Sequence, residues 1–137
     1  MENIFYQNLL LIPSLAFVAT VVMKGLVFWI KSGKLDLSRS LWSGWMPSVH
    51  SAVVVSLTTA IALKYGISHD LFAIAMAFTV IIIYDAINVR FEAGLHASAI
   101  NASLGQKKFK ESLWHLPSEA FAGSVLGITV AFLLSLI

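Results

Sequence analysis

The chain alternates long apolar runs with shorter polar stretches. Four apolar runs stand out, from Ile4 to Ile30, Val49 to Tyr65, Leu71 to Val89 and Pro117 to Ile137. A helix needs about 20 apolar residues to cross a bilayer, with about 17 as the lower limit. The first run is therefore generous and the second short. The pattern predicts an all-α, polytopic membrane bundle of about four transmembrane helices, with residues 1–137 as a single domain. The rival count is three spans, with the first run re-entrant or interfacial. Pro13 is placed to break or kink the first run. Lys24 lies inside it, two turns from its end, positioned to snorkel or to serve a site.

The connections carry the charge. Residues 31–46 hold Lys31, Lys34 and Arg39, and residues 66–70 read as a tight turn. Residues 90–116 read as a long polar connection with Arg90, Lys107, Lys108 and Lys110. Basic residues favour the cytoplasmic side, which puts both long connections inside and both termini outside. The three lysines are expected to face anionic headgroups. Trp29, Trp42, Trp45 and Trp114 read as an interfacial belt. Gly123 and Gly127 form a small-xxx-small pair suited to close helix contact, more readily within the bundle than between copies. A homo-oligomer stays open.

Composition agrees with a membrane protein: 58% of residues are hydrophobic and 12% charged, well beyond an ordinary globular domain. The absence of cysteine excludes a disulfide framework, a thiol nucleophile and a thiolate metal site. A net charge of +2 and one short basic run give nucleic-acid binding no support. The N-terminal Met1-Glu2-Asn3 lacks a positive flank, and no small-residue cleavage site follows, so no secretory signal is expected.

Alternating spans bring the start of the second, the end of the third and the start of the fourth to one membrane face. That face would gather Ser48, His50, Asp85, Asn88, Arg90, Glu92, His96, His115 and Glu119. Titratable groups at membrane depth are costly and so point to a site. Pro47 suits a helix start, Ser48 a cap, and the free N–H groups of that turn a phosphate. His50 would act there as acid or base; the alternative is a capped helix with an incidental histidine. Asp85 needs a partner, and Arg90 is the obvious one. Five residues on a straight helix do not share a face, so either the helix ends between them or other residues join them. Arg90 also suits phosphate through its planar fork. Pro117 suggests a helix start beside His115, with Glu119 four residues on. His115 is then a candidate nucleophile, base or metal ligand. Glu119 either orients it or caps the helix.

Three blocks occur in order: Met46-Pro47-Ser48-Val49-His50-Ser51-Ala52, Asp85-Ala86-Ile87-Asn88-Val89-Arg90 with Ala93-Gly94, and Leu113-Trp114-His115-Leu116-Pro117 with Glu119 and Gly123. Together they resemble the divergent branch of the type 2 phosphatidic acid phosphatase family, itself related to acid phosphatases and vanadium-dependent haloperoxidases. The resemblance covers roughly residues 8–137. It implies a helical membrane fold and phosphate-ester hydrolysis on a lipid-like substrate, with no metal or cofactor. By position, His50 matches the histidine that protonates the leaving oxygen, and Arg90 a phosphate-binding arginine. Lys24 loosely matches an early phosphate-binding lysine. The chain departs from the wider family at Val49, where glycine is usual, at Val89 before the arginine, and at Ile100, where an aspartate would fall. His96 has the wider family's spacing from Arg90, whereas the divergent branch carries its later histidine where His115 stands. His115 is therefore preferred as the nucleophile, with His96 as the alternative.

The reading that follows is a lipid-phosphate phosphohydrolase at the cytoplasmic interface. His50 would be the acid and His115 the nucleophile, oriented by Glu119 or Asp85. Arg90, Lys24 and the helix start at Ser48 would hold phosphate. Two alternatives remain: a magnesium-dependent lipid phosphatase using Asp85, Glu92 and Glu119, and a non-catalytic lipid-phosphate-binding or scaffold protein.

Overall fold

A computed structural model of the chain describes residues 3–33, 46–112 and 114–137. All regular structure among them is helical. In chain order these are α1 (Ile4–Gln7), α2 (Leu11–Ser32), α3 (Val49–Tyr65), α4 (Asp70–Tyr84), a π-helical segment (Asp85–Val89), α5 (Arg90–Leu104) and α6 (Pro117–Ser135). Lys34, Arg39, Trp42, Gly44 and Trp45 lie outside the described residues.

The first apolar run is split rather than kinked. Asn3 caps α1 by accepting the Phe5 N–H at 2.9 Å, and Asn8 accepts the Leu10 N–H at 3.1 Å before α2 begins. Pro13 then falls in the first turn of α2, where a missing N–H removes no helical bond.

The third run corrects the expectation of a span ending at Val89. Helix continues without a break from Asp70 to Leu104, 35 residues in all. At 1.5 Å per residue that is about 52 Å, against about 30 Å of hydrocarbon. The polar stretch after Val89 is thus the outer part of a helix. It is rich in alanine and holds no proline, and it ends at Gly105, whose φ of 63° gives the left-handed turn glycine adopts freely.

By length and composition, α2, the Asp70–Leu104 helix and α6 can cross a membrane, and α3 is a shorter apolar helix. The architecture is a helical membrane bundle. Its centre is α3, which packs against α6, α4 and α2, while α2 also meets α6. The glycine pair explains the tightest contact. A Cβ on Gly123 would strike the backbone of Ser48, and one on Gly127 would lie 2.5 Å from the Ala52 carbonyl and 3.0 Å from the Ser56 nitrogen. Ser48, Ala52 and Ser56 recur every four residues, so one small-residue face of α3 meets another on α6. Between α3 and α4, the Thr58 and Thr79 hydroxyls bond at 2.7 Å.

The end of the bundle opposite the polar cluster is tied shut. Asn3 Nδ2 donates to the Leu134 carbonyl at 2.8 Å, and Lys64 Nζ donates to the Tyr6 carbonyl. The other end brings together the start of α3, the π-helical segment and the start of α6.

Candidate active site

Four stretches build the site. Ser48 caps α3, its hydroxyl accepting the Ser51 N–H, and its own N–H donates to the Glu119 carbonyl at 3.0 Å. This bond, with the Gly123 contact, fixes the start of α3 against the start of α6. Ser48 is fully buried, so it caps and packs, and His50 stands in the first turn of the same end.

The π-helical segment resolves the Asp85–Arg90 puzzle. Its wider turn bonds residue i to i+5, and the Arg90 N–H reaches the Asp85 carbonyl. The two side chains are thereby brought onto one face, with Arg90 Nε 3.0 Å from Asp85 Oδ2. Neither a helix end nor a go-between is needed. Single π-turns inside α-helices recur at functional sites. The pair is more than a third exposed, at 37% for Arg90 and 39% for Asp85, and marks the open side of the site. Within the same segment, the Ala86 carbonyl accepts the backbone N–H of His115 at 3.0 Å.

His115 lies just before α6 and is 1% exposed. Its Nδ1 is 3.0 Å from Glu119 Oε2, which also accepts the Leu116 N–H at 3.1 Å. Glu119 therefore caps the helix and orients the histidine at once. A carboxylate there accepts from Nδ1, which leaves the lone pair on Nε2. That Nε2 is buried and has no hydrogen-bond partner among the described residues, and the same holds for Nδ1 of His50. The two rings meet edge to face, with centroids 5.6 Å apart. Burial pushes the His115 imidazole below the ordinary histidine value; the Glu119 bond opposes this, and the nearby charges of Lys24 and Arg90 add to it.

Lys24 does not snorkel. It is 3% exposed, turned into the bundle within electrostatic reach of Glu119 and of both histidines. One end of the bundle thus holds His50, His115, Glu119, Lys24, Arg90 and Asp85. His96 is exposed on α5, six residues beyond Arg90. Glu92 is exposed as well, Asp85 faces Arg90 and Glu119 faces His115. Among the described residues no three histidine or acidic groups come together as a metal-ligand set.

One contributor was not singled out by sequence reasoning. Asn101, in the stretch read as a loop, is buried in α5 and bonds the chain that leads to His115. Its only advance signal is an asparagine within an alanine-rich helix, which is weak.

The uncharacterized membrane protein YuiD of Bacillus subtilis (strain 168) is 37% identical over 149 residues, covering 93% of this chain and 94% of the relative. No solved structure matches. A match to the divergent PAP2 family spans residues 5–130, which takes in every residue of the site. The chain belongs to the divergent PAP2 family.

Proposed function

We propose that the protein hydrolyses a lipid phosphate, monoester or diphosphate, through a phosphohistidine at His115. The observation that carries this reading is the pair of histidines, His115 buried and His50 half-buried. One presents an unpartnered Nε2 held by a carboxylate on its other nitrogen, and the other touches it. A nucleophile oriented by a third group is the recurring arrangement for covalent catalysis.

In the first step Nε2 of His115 attacks phosphorus, the bond from phosphorus to the lipid oxygen breaks, and His50 gives that oxygen its proton. In the second, water attacks the phosphohistidine, His50 takes a proton from the water, and inorganic phosphate leaves. Arg90 and Lys24 offset the charge on the transferring group. With Nε of Arg90 on Asp85, its two terminal nitrogens remain to meet phosphate oxygens. An in-line transfer places phosphorus between the attacking and the protonating nitrogen. His115 is fixed through its backbone on Ala86 and its ring on Glu119. His50 is the more exposed of the two.

The basic residues near this end favour the cytoplasmic side, with both termini outside. The test is phosphate release from a panel of lipid phosphates by purified protein, with and without excess EDTA. Turnover that survives His50→Ala and His115→Ala together would end this reading, and loss of turnover in EDTA would favour the magnesium-dependent version. Phosphate binding without turnover would favour a binding protein.

A further inference from the structure

Asn101 lies about 16 Å along the helix axis from Arg90, yet its side chain bonds the chain that leads to His115. It is 4% exposed and uses all its bonding capacity on one stretch of chain. Nδ2 donates to the Phe109 carbonyl and to Glu111 Oε1, both at 2.8 Å. Oδ1 accepts the N–H groups of Lys108 at 2.9 Å and Phe109 at 2.8 Å. Lys108 to Glu111 are thereby pinned to α5. Next to this clamp, Gly94 lets the Glu111 carbonyl come so close to α5 that a Cβ there would strike it. Trp114 then stacks edge to face on Phe91, with centroids 5.1 Å apart. His115 follows Glu111 by four positions, a tether of at most about 14 Å.

We infer that Asn101 is the positioning residue for His115: it folds the chain back along α5 so that the histidine enters the bundle beside His50. This rests on the hydrolase reading for its effect on turnover, but not for its effect on the histidine's placement. Asn101 touches none of the reacting groups. Without it, His115 keeps its Ala86 and Glu119 bonds, with the Gly94–Glu111 approach and the Phe91–Trp114 contact beside them, but the chain from Lys108 to Phe109 loses its side-chain anchor on α5.

The experiment uses the full-length protein in nanodiscs and two readouts. The first is kcat and KM on a lipid phosphate. The second is carbethoxylation of His115 by diethyl pyrocarbonate, mapped by mass spectrometry against the exposed His69 and His96. Asn101→Ala is expected to lower kcat at least tenfold with KM within about threefold, and to label His115 several-fold faster at an unchanged reference rate. Asn101→Asp sets a carboxylate against Glu111 and is expected to behave likewise. Asn101→Asp with Glu111→Gln restores the bond to residue 111 in the opposite sense but not the one to the Phe109 carbonyl, and should recover part of both properties. If Asn101→Ala does not fold, the aspartate variant and its double variant decide the matter. His115 labelling at the wild-type rate in Asn101→Ala or Asn101→Asp overturns the inference, as does a double variant no better than Asn101→Asp. A wild-type protein that is inactive on every lipid phosphate overturns the hydrolase reading, while the labelling still decides the role of Asn101.

Discussion

Consider Gly123→Ala. Substitution adds one methyl group, and in an isolated helix it would stabilise by about 1 kcal/mol through propensity. Here the methyl meets the backbone of Ser48. The companion position sets the scale: a Cβ on Gly127 would lie 2.5 Å from the Ala52 carbonyl, where ordinary contact begins near 3.4 Å. Relieving the clash at Gly127 requires roughly 0.9 Å of separation, and at Gly123 more. No flexible side chain can give way, because the atoms met are backbone. Overpacking of this kind costs about 1–3 kcal/mol, and the rigid obstacle argues for the upper half. The net expectation for Gly123→Ala is a loss of about 1–2 kcal/mol, or roughly 3–7 °C in thermal midpoint.

The position of Gly123 makes the variant informative about catalysis too. The separation falls where Ser48 bonds Glu119, so it moves His50 away from His115 by about the same distance. A displacement near 1 Å is enough to cost about a hundredfold in rate. Gly127→Ala, one turn farther from the site, should lose comparable stability but only a few-fold in turnover. The assay pairs thermal unfolding of the purified protein with phosphate release. A Gly123→Ala protein as stable and as active as wild type would refute the close approach and its link to the site.

Further outcomes follow from the same geometry. Arg90→Lys keeps the charge but has one nitrogen to share between Asp85 and phosphate, so KM should rise about 10- to 100-fold with stability within about 1 kcal/mol; steady-state kinetics on a lipid phosphate reads this, and an unchanged KM counts against the assignment. Glu119→Gln removes the group that holds the Nδ1 proton, and kcat should fall about 10²–10⁴-fold, with 15N chemical shifts of the His115 ring showing the lost bond. Because burial lowers the folded-state value of His115 below its unfolded value of about 6.5, the unfolded chain binds more protons between the two. The stability held by the neutral ring is therefore full above about pH 6.5 and lost as pH falls through the folded value. His115→Gln should flatten the fall in thermal midpoint below pH 6.5, and an unaltered slope would contradict the burial.

Several of these features are legible in the residues, and the others fail for identifiable reasons. His115 and Glu119 are legible as partners from their spacing of four beside a proline that starts a helix, although the helix begins only at Pro117 and the pair forms across its start rather than along one helical face. Gly123 and Gly127 announce a close contact by their size. The extent of α5 is hidden because hydropathy reports the solvent around a segment rather than its backbone conformation. The change of character at Arg90 thus reads as a helix end when it is a helix leaving the apolar layer. The Asp85–Arg90 pair is hidden because α-helical periodicity places the two residues on different faces, and no residue between them signals a wider turn. Lys24 could be placed in depth but not in direction, since the side chain is long enough to reach either the interface or the interior. Asn101 is hidden because its partners are mostly main-chain groups, which leave no mark in the sequence.

The π-turn at Asp85–Val89 has a consequence for how the protein tolerates change in length. It acts as a phase shifter: an extra residue in the turn offsets everything after it by about 100° of rotation relative to α4. Deleting one residue there would leave a regular and locally more comfortable α-helix. It would also swing Arg90, α5 and the clamped chain behind them around the axis, away from His50. Within this stretch, residue count matters as much as residue identity. Substitutions at Ile87 or Val89 should be absorbed far more easily than a single insertion or deletion, and family members that keep this site should keep the arginine five positions after the aspartate that starts the turn.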